Sequence, residues 1–156
     1  DPLGAATADP LLLDAVANAL ERYRRIGHDL VVGPALLVPL DIELAVCVAP
    51  GHQRGHVLDA LRRVLGSRTL ADGRPGFFHP DVVSFGEPVR LSRLVAAAAA
   101  VPGVLSARVT RLRRLFGPDS DALQTGLLRL GPLEVAQCDN DPDRPENGRL
   151  ALVVTR

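Results

Sequence analysis

Between Leu40 and Val48 the chain alternates strictly, with Leu40, Ile42, Leu44, Val46 and Val48 apolar and Asp41, Glu43, Ala45 and Cys47 between them. Successive side chains of an extended backbone point to opposite faces, so this run predicts a strand with one buried face. Such a strand needs a second layer over its apolar side. Two segments supply candidates. Val57, Leu58, Leu61, Val64 and Leu65 form the stripe of a helix that stops at Gly66, and Leu91, Leu94, Val95, Ala98 and Val101 form another that Pro102-Gly103 ends. The run Ala96 to Ala100 gives the second helix a small-residue face that can sit close to a sheet.

Upstream, Asp9-Pro10 opens a helix over residues 10–25 whose apolar face is Leu13, Val16, Ala17 and Leu20. A short strand over residues 30–32 and a turn at Gly33-Pro34 then lead into the main body. Residues 67–88, rich in Gly, Pro and Asp, read as a long structured loop with one short strand. The next strand runs from Val104 to about Leu115, with Leu105, Ala107, Val109 and Leu112 inward and a bulge near Thr110 and Arg111 to restore the phase. Two further strands, residues 127–138 and 149–155, flank the polar loop 139–148. The expected fold is therefore α+β: a ferredoxin-like two-layer α/β sandwich, strand-helix-strand-helix-strand, with an N-terminal helix and an added C-terminal β-hairpin.

At 156 residues the chain suits one compact domain, or one domain and part of another. Aromatic residues make up only 3% of it, so the core must be aliphatic. Its 18 basic residues are all Arg and balance 18 acidic ones, which gives no general attraction to nucleic acid or an anionic membrane. Arg-only usage suits subunit interfaces and follows equally from a genome rich in G and C. No uninterrupted apolar run reaches bilayer-spanning length. The opening Asp1-Pro2-Leu3-Gly4, with no Met in the chain, reads as a piece of a longer polypeptide.

Each candidate for chemistry has a plain structural explanation. His52 and His56 have a chelating spacing, but His-Gln-Arg-Gly-His lacks the Glu of a zinc-protease helix, and the pair falls opposite the apolar stripe on a solvated face. Loop 139–148 has carboxylates at alternate positions, yet Arg144 stands where a calcium loop needs Gly and Leu150 where it needs Glu. A hairpin loop stiffened by Pro and Asx turns accounts for it, with an irregular calcium site as the alternative. Arg108, Arg111, Arg113 and Arg114 cluster on one strand with only Phe116 nearby to stack on a base, so they read as edge charges or interface anchors. Cys47 and Cys138 form no CxxC pair and read as buried free thiols. With no nucleophile elbow, phosphate loop or dinucleotide fingerprint, the expectation is a non-enzyme with no catalytic, cofactor or metal site.

Several uncommon strings carry a resemblance. They are residues 23–30 (Tyr-Arg-Arg-Ile-Gly-His-Asp-Leu), 38–44 (Val-Pro-Leu-Asp-Ile-Glu-Leu), 72–81 (Asp-Gly-Arg-Pro-Gly-Phe-Phe-His-Pro-Asp) and 85–94 (Phe-Gly-Glu-Pro-Val-Arg-Leu-Ser-Arg-Leu), with the shorter 101–104, 133–136 and 139–142. In this order they resemble the C-terminal region of baseplate assembly proteins of the baseplate J-like family, from about Tyr23 to the end. The resemblance implies a structural component of the baseplate wedge in a phage tail or a related contractile injection system. It further implies assembly in the cytoplasm into a tail-like particle. Partners would be other wedge and hub proteins, with no nucleic acid and no membrane, and the isolated chain would be a monomer. It also implies that residues 1–34 close a preceding α/β unit; the order of elements gives 35–116 as the ferredoxin-like core and 117–156 as the hairpin extension. His52-Gln53-Arg54 departs from the aromatic expected after Pro50-Gly51. From the residues alone, a small-molecule-binding regulatory domain of ferredoxin-like fold is the competing reading.

Overall fold

The structure, a computed structural model, describes residues 9–155. The opening Asp1-Pro2-Leu3-Gly4 lies outside the described residues. The elements are helix α1 (Pro10–Glu21), strand β1 (Leu36–Val48), helix α2 (Arg54–Val64), strand β2 (Val89–Arg90), helix α3 (Leu91–Ala99) and strand β3 (Val104–Arg114). Then follow helix α4 (Ala122–Thr125), strands β4 (Leu127–Leu128) and β5 (Glu134–Gln137), a 3-10 turn (Pro145–Asn147) and strand β6 (Arg149–Thr155). The protein is a mixed α+β fold with a sheet and several helices.

β1 is the organising element. It pairs antiparallel with β3 on one side; on the other, β5 lies parallel to its first part and β6 to the rest. The predicted alternation holds: Leu40, Ile42, Leu44 and Val46 are fully buried, in one cluster with Val57, Leu61 and Leu65 of the α2 segment and Leu94 and Ala98 of α3. Each buried Leu or Ile contributes roughly 1.5–3 kcal/mol, so this row anchors the domain. On the opposite face Glu43, Ala45 and Cys47 are half-buried, while Asp41 is fully buried.

The bulge stands where the phase break predicts it. Glu43 pairs with Arg111 and Leu44 with Val109, which leaves Thr110 unpaired. A second irregularity, between Cys47 and Val48, leaves Leu105 unpaired. Leu105 is 65% exposed and so departs from the expected inward set, whereas Val109 and Leu112 are buried.

Five expectations are corrected. Residues 30–32 form no strand, and α1 ends at Glu21 rather than near 25, with no buried side chain. Loop 67–88 contains only an isolated bridge between Thr69 and Pro75; the short strand is β2, just beyond it, and it pairs with β4. Residues 127–138 are not one strand but two short ones separated at Gly131-Pro132. The C-terminal β-hairpin is absent, since β5 and β6 both run parallel to β1 and do not pair with each other. The physical reason lies in the neck of the intervening loop. Asp139 N–H bonds to Asn147 C=O and Asn140 N–H to Gly148 C=O, so the loop closes on itself and returns the chain to its original direction. β5 and β6 are in effect one edge strand interrupted by an excursion.

Candidate functional site

The sequence singles out three regions as candidate contact surfaces: loop 67–88, the Arg-bearing strand β3 and loop 139–148. The first is built as the end-piece of α2. The last carbonyls of a helix lack intrahelical partners. Here Phe77 N–H donates to Val64 C=O at 2.8 Å and Phe78 N–H to Gly66 C=O at 3.0 Å, while Gly76 N–H reaches Arg68 C=O at 2.9 Å. A Cβ at Gly76 would collide with the Gly66 and Arg68 carbonyls, which is why this return requires glycine. Phe78 is buried, Phe77 meets it edge to face at 4.9 Å, and the Arg93 guanidinium lies 5.6 Å from the Phe77 ring centre. His79 joins the same construction, with Nε2 3.3 Å from the Thr69 hydroxyl and Nδ1 accepting from Asp81 N–H at 3.1 Å.

The arginines of β3 do not act as one surface. Arg113 Nε donates to Asp41 Oδ2 at 2.9 Å, and Arg149 of β6 donates to both Asp41 oxygens at 2.8 and 3.0 Å. Arg111 bridges Asp41 and Glu43; its Nε is 3.0 Å from Asp41 Oδ2 but misdirected, so that contact is electrostatic and the buried Nε has no hydrogen-bond partner among the described residues. Asp41 is fully buried under these side chains. The Arg149 hydrogen bond above all, with Arg113 and the Arg111 charge, outweighs burial and holds its carboxyl down at about 2. Arg114 faces the other way and grips Glu134 with two bonds of 2.8 and 2.6 Å. That pairing, aided by Gly131 N–H at 2.6 Å, holds Glu134 at about 2. Arg108 remains exposed.

Sequence reasoning missed the Asp41 hub. Its signal was present as an acidic residue inside an apolar alternation, but the partners come from β3 and β6, and Arg149 is remote in sequence.

In loop 139–148 the polar side chains serve the loop itself. Asp139 Oδ2 accepts from Gln137 Nε2 and Asn147 Nδ2, each at 3.0 Å; Asp141 Oδ1 accepts from Asp143 N–H, an Asx turn; and Asn140 Oδ1 accepts from Leu150 N–H at 2.9 Å. Between this loop and residues 67–71 at the end of α2 lies an open groove of about 780 Å³. The structure thus joins two of the three surfaces and leaves the Arg strand out. Arg62, Arg68 and Arg149 line the groove with Leu70, Pro142 and Leu150. Asp139 and Asp141 line its loop side, where their carboxylates accept the loop's own hydrogen bonds, while among the described residues Arg62 and Arg68 on the α2 side make no ion pair, so the groove carries charges of both signs, with its unpaired arginines on the α2 side.

His52 and His56 are exposed, and the described residues contain no group of three or more His, Cys, Asp or Glu arranged to hold a metal. Cys138 is buried, and desolvation first, then the charges of Asp139 and Asp41, pushes its thiol up to about 12. Cys47 is only half-buried, which corrects its assignment to the interior. No helix among the described residues is long and apolar enough to cross a membrane. Compared with models of known protein families and with curated proteins, the chain matches none.

Proposed function

We propose that this chain is a structural module of a baseplate wedge in a phage-tail-like contractile machine, acting through protein contacts and not through catalysis. The observation that carries the reading is the use made of residues 72–81, the most distinctive string in the resemblance. Gly76, Phe77, Phe78 and His79 are spent on closing α2 and filling the core, as expected of a string that specifies a scaffold. The acidic hubs point the same way: Asp41 and Glu134 are fixed by arginines in structural pairs. The ferredoxin-like likeness belongs to the same proposal. It rests on the chain order β1-α2-β2-α3-β3 and the antiparallel β1/β3 neighbours, while β2 outside the main sheet and the parallel β6 are departures.

Purification of tail-like particles from cells carrying a tagged parent gene tests the assignment. Co-purification with sheath and tube proteins, encoded by neighbouring genes, is the expected result. A parent gene in a metabolic operon, with no particle association, would sink it. The isolated chain is expected to scatter light as a monomer.

The groove supports a second reading, the small-molecule-binding regulatory domain, because its size is ample for a metabolite. It is open along one side, which fits an extended partner better than an enclosed ligand. A shift in melting temperature with a panel of anionic metabolites would favour the second reading.

A further inference from the structure

β6 presents an unblocked sheet edge that leads into the arginine groove. Its inner and outer backbone groups can be assigned. Pro39 C=O accepts from Leu115 N–H, just past the end of β3, and Glu43 C=O from the Thr110 hydroxyl of β3, so the odd residues of β1 point toward β3 and the even ones toward β6. Ile42 is in parallel register with Leu150, and an even β1 residue in such a ladder bonds the residues on either side of its partner. Arg149, Ala151, Val153 and Thr155 therefore bond to β1, and Leu150, Leu152 and Val154 point outward. The Leu150 N–H confirms this phase, since Asn140 Oδ1 takes it from outside the sheet. Among the described residues, nothing pairs with the outward groups of Leu152 and Val154.

The two edges differ in kind. β3 has two register breaks, four arginines and α4 beside it, all features that discourage pairing. β6 beyond Arg149 reads Leu-Ala-Leu-Val-Val-Thr, with no charge, proline or bulge. Leu152 and Val154 form a half-buried apolar ledge on one face, and Val153 is 46% exposed on the other. At the start of the strand Leu150 and Arg149 line the groove that holds Arg62 and Arg68.

We infer that the β6 edge and the adjoining groove together receive an extended segment of a neighbouring protein, added as a strand, apolar at alternate positions and ending in a carboxylate that Arg62 and Arg68 accept. Main-chain bonds to Leu152 and Val154 would supply affinity, and the ledge and the arginines selectivity. The inference rests on the assembly reading only in making the partner a protein; peptide binding can succeed or fail whatever machine the parent gene serves.

The probe is a fluorescein-labelled peptide, Glu-Val-Thr-Val-Thr-Val-Glu, compared with a Lys-ended version and with one N-methylated at alternate amides. In the free protein the amides of Leu152 and Val154 are expected to exchange with deuterium as open amides, while those of Ala151 and Val153 are protected. The Glu-ended peptide should slow exchange at 152 and 154, and N-methylation should weaken binding about tenfold or more through lost hydrogen bonds. Arg68→Glu should weaken it about threefold, the scale of one exposed ion pair. Val154→Pro, which removes an outward N–H and trims the apolar ledge, should block binding with the circular dichroism spectrum retained. No binding at millimolar peptide, or binding indifferent to N-methylation, would overturn the inference. So would protection of 152 and 154 in the free monomer, or in a dimer that pairs the edge with itself.

Discussion

Asp41 and Arg149, separated by 108 residues in the chain, meet in a two-point contact of 2.8 and 3.0 Å on adjacent strands. This pair ties β6 to the central strand at the point where β5 has left it. Removing the carboxylate leaves Arg149 with no counter-charge, Arg111 with Glu43 alone and Arg113 with the exposed Asp119 alone, all three crowded together. Breaking a fully buried pair typically costs about 3–5 kcal/mol, but these guanidiniums reach water, so Asp41→Ala is expected to cost about 2–3 kcal/mol. Urea unfolding of the two proteins measures it, and a loss under 0.5 kcal/mol, within the usual range for surface changes of about ±0.5, would contradict the account.

The same carboxylate gives the fold a defined acid limit. Asp41 titrates at about 2 in the native protein against 3.8 for the unperturbed group. Between these values the unfolded chain binds more protons than the native one, so stability rises with pH. Its contribution, roughly 2 kcal/mol, is fully present above the unfolded value and is lost as pH falls from about 4 to about 2. Glu134, lowered from 4.5 to about 2, acts in the same direction over a similar window. Unfolding free energies measured between pH 5 and pH 2 should fall less steeply in Asp41→Asn than in the parent.

What was legible in the sequence was periodic. The alternation of Leu40 to Val48, the stripes of α2 and α3 and the phase slip at Thr110 each depend on neighbours in the chain, and each appears in the structure. What was illegible depended on partners far away. Alternation marks residues 149–155 as a strand but carries no information on direction, and a polar loop before it suggests a hairpin; the Asp139 and Asn140 bonds that close the loop's neck have no sequence period. Asp41 looked like a solvent-facing residue for the same reason, since its cover comes from β3 and β6. The groove was half legible, because both loops were singled out but nothing local placed them side by side.

Two glycines should respond oppositely to alanine. Gly55 lies within α2 with nothing within 4 Å of an added Cβ, so Gly55→Ala should stabilise the protein by about 0.5–1 kcal/mol. Gly76 is pressed against two backbone carbonyls that cannot swing aside, and Gly76→Ala should destabilise by at least about 2 kcal/mol, through both overpacking and loss of the α2 closure. Thermal melts of the pair read the difference directly, and a Gly76→Ala protein as stable as the parent would refute the proposed path of residues 72–81.

The two thiols should separate by reactivity, since the thiolate is the reacting form and access governs the rate. Cys138 is fully buried in the core cluster, and its thiol is pushed up to about 12, so almost none of it is ionised near neutrality. Cys47 sits on β1 opposite Thr155, half-buried on the partly exposed face of the sheet. A disulfide reagent at pH 8 should therefore modify Cys47 in the native protein and reach Cys138 only on unfolding. Mass spectrometry after a timed pulse distinguishes the two sites. Because Cys138 follows β5 directly and lies at the neck of loop 139–148, its labelling rate in dilute urea also reports opening of that neck. Rapid native labelling of Cys138 would mean that the loop opens readily and that β5 and β6 are not held in line.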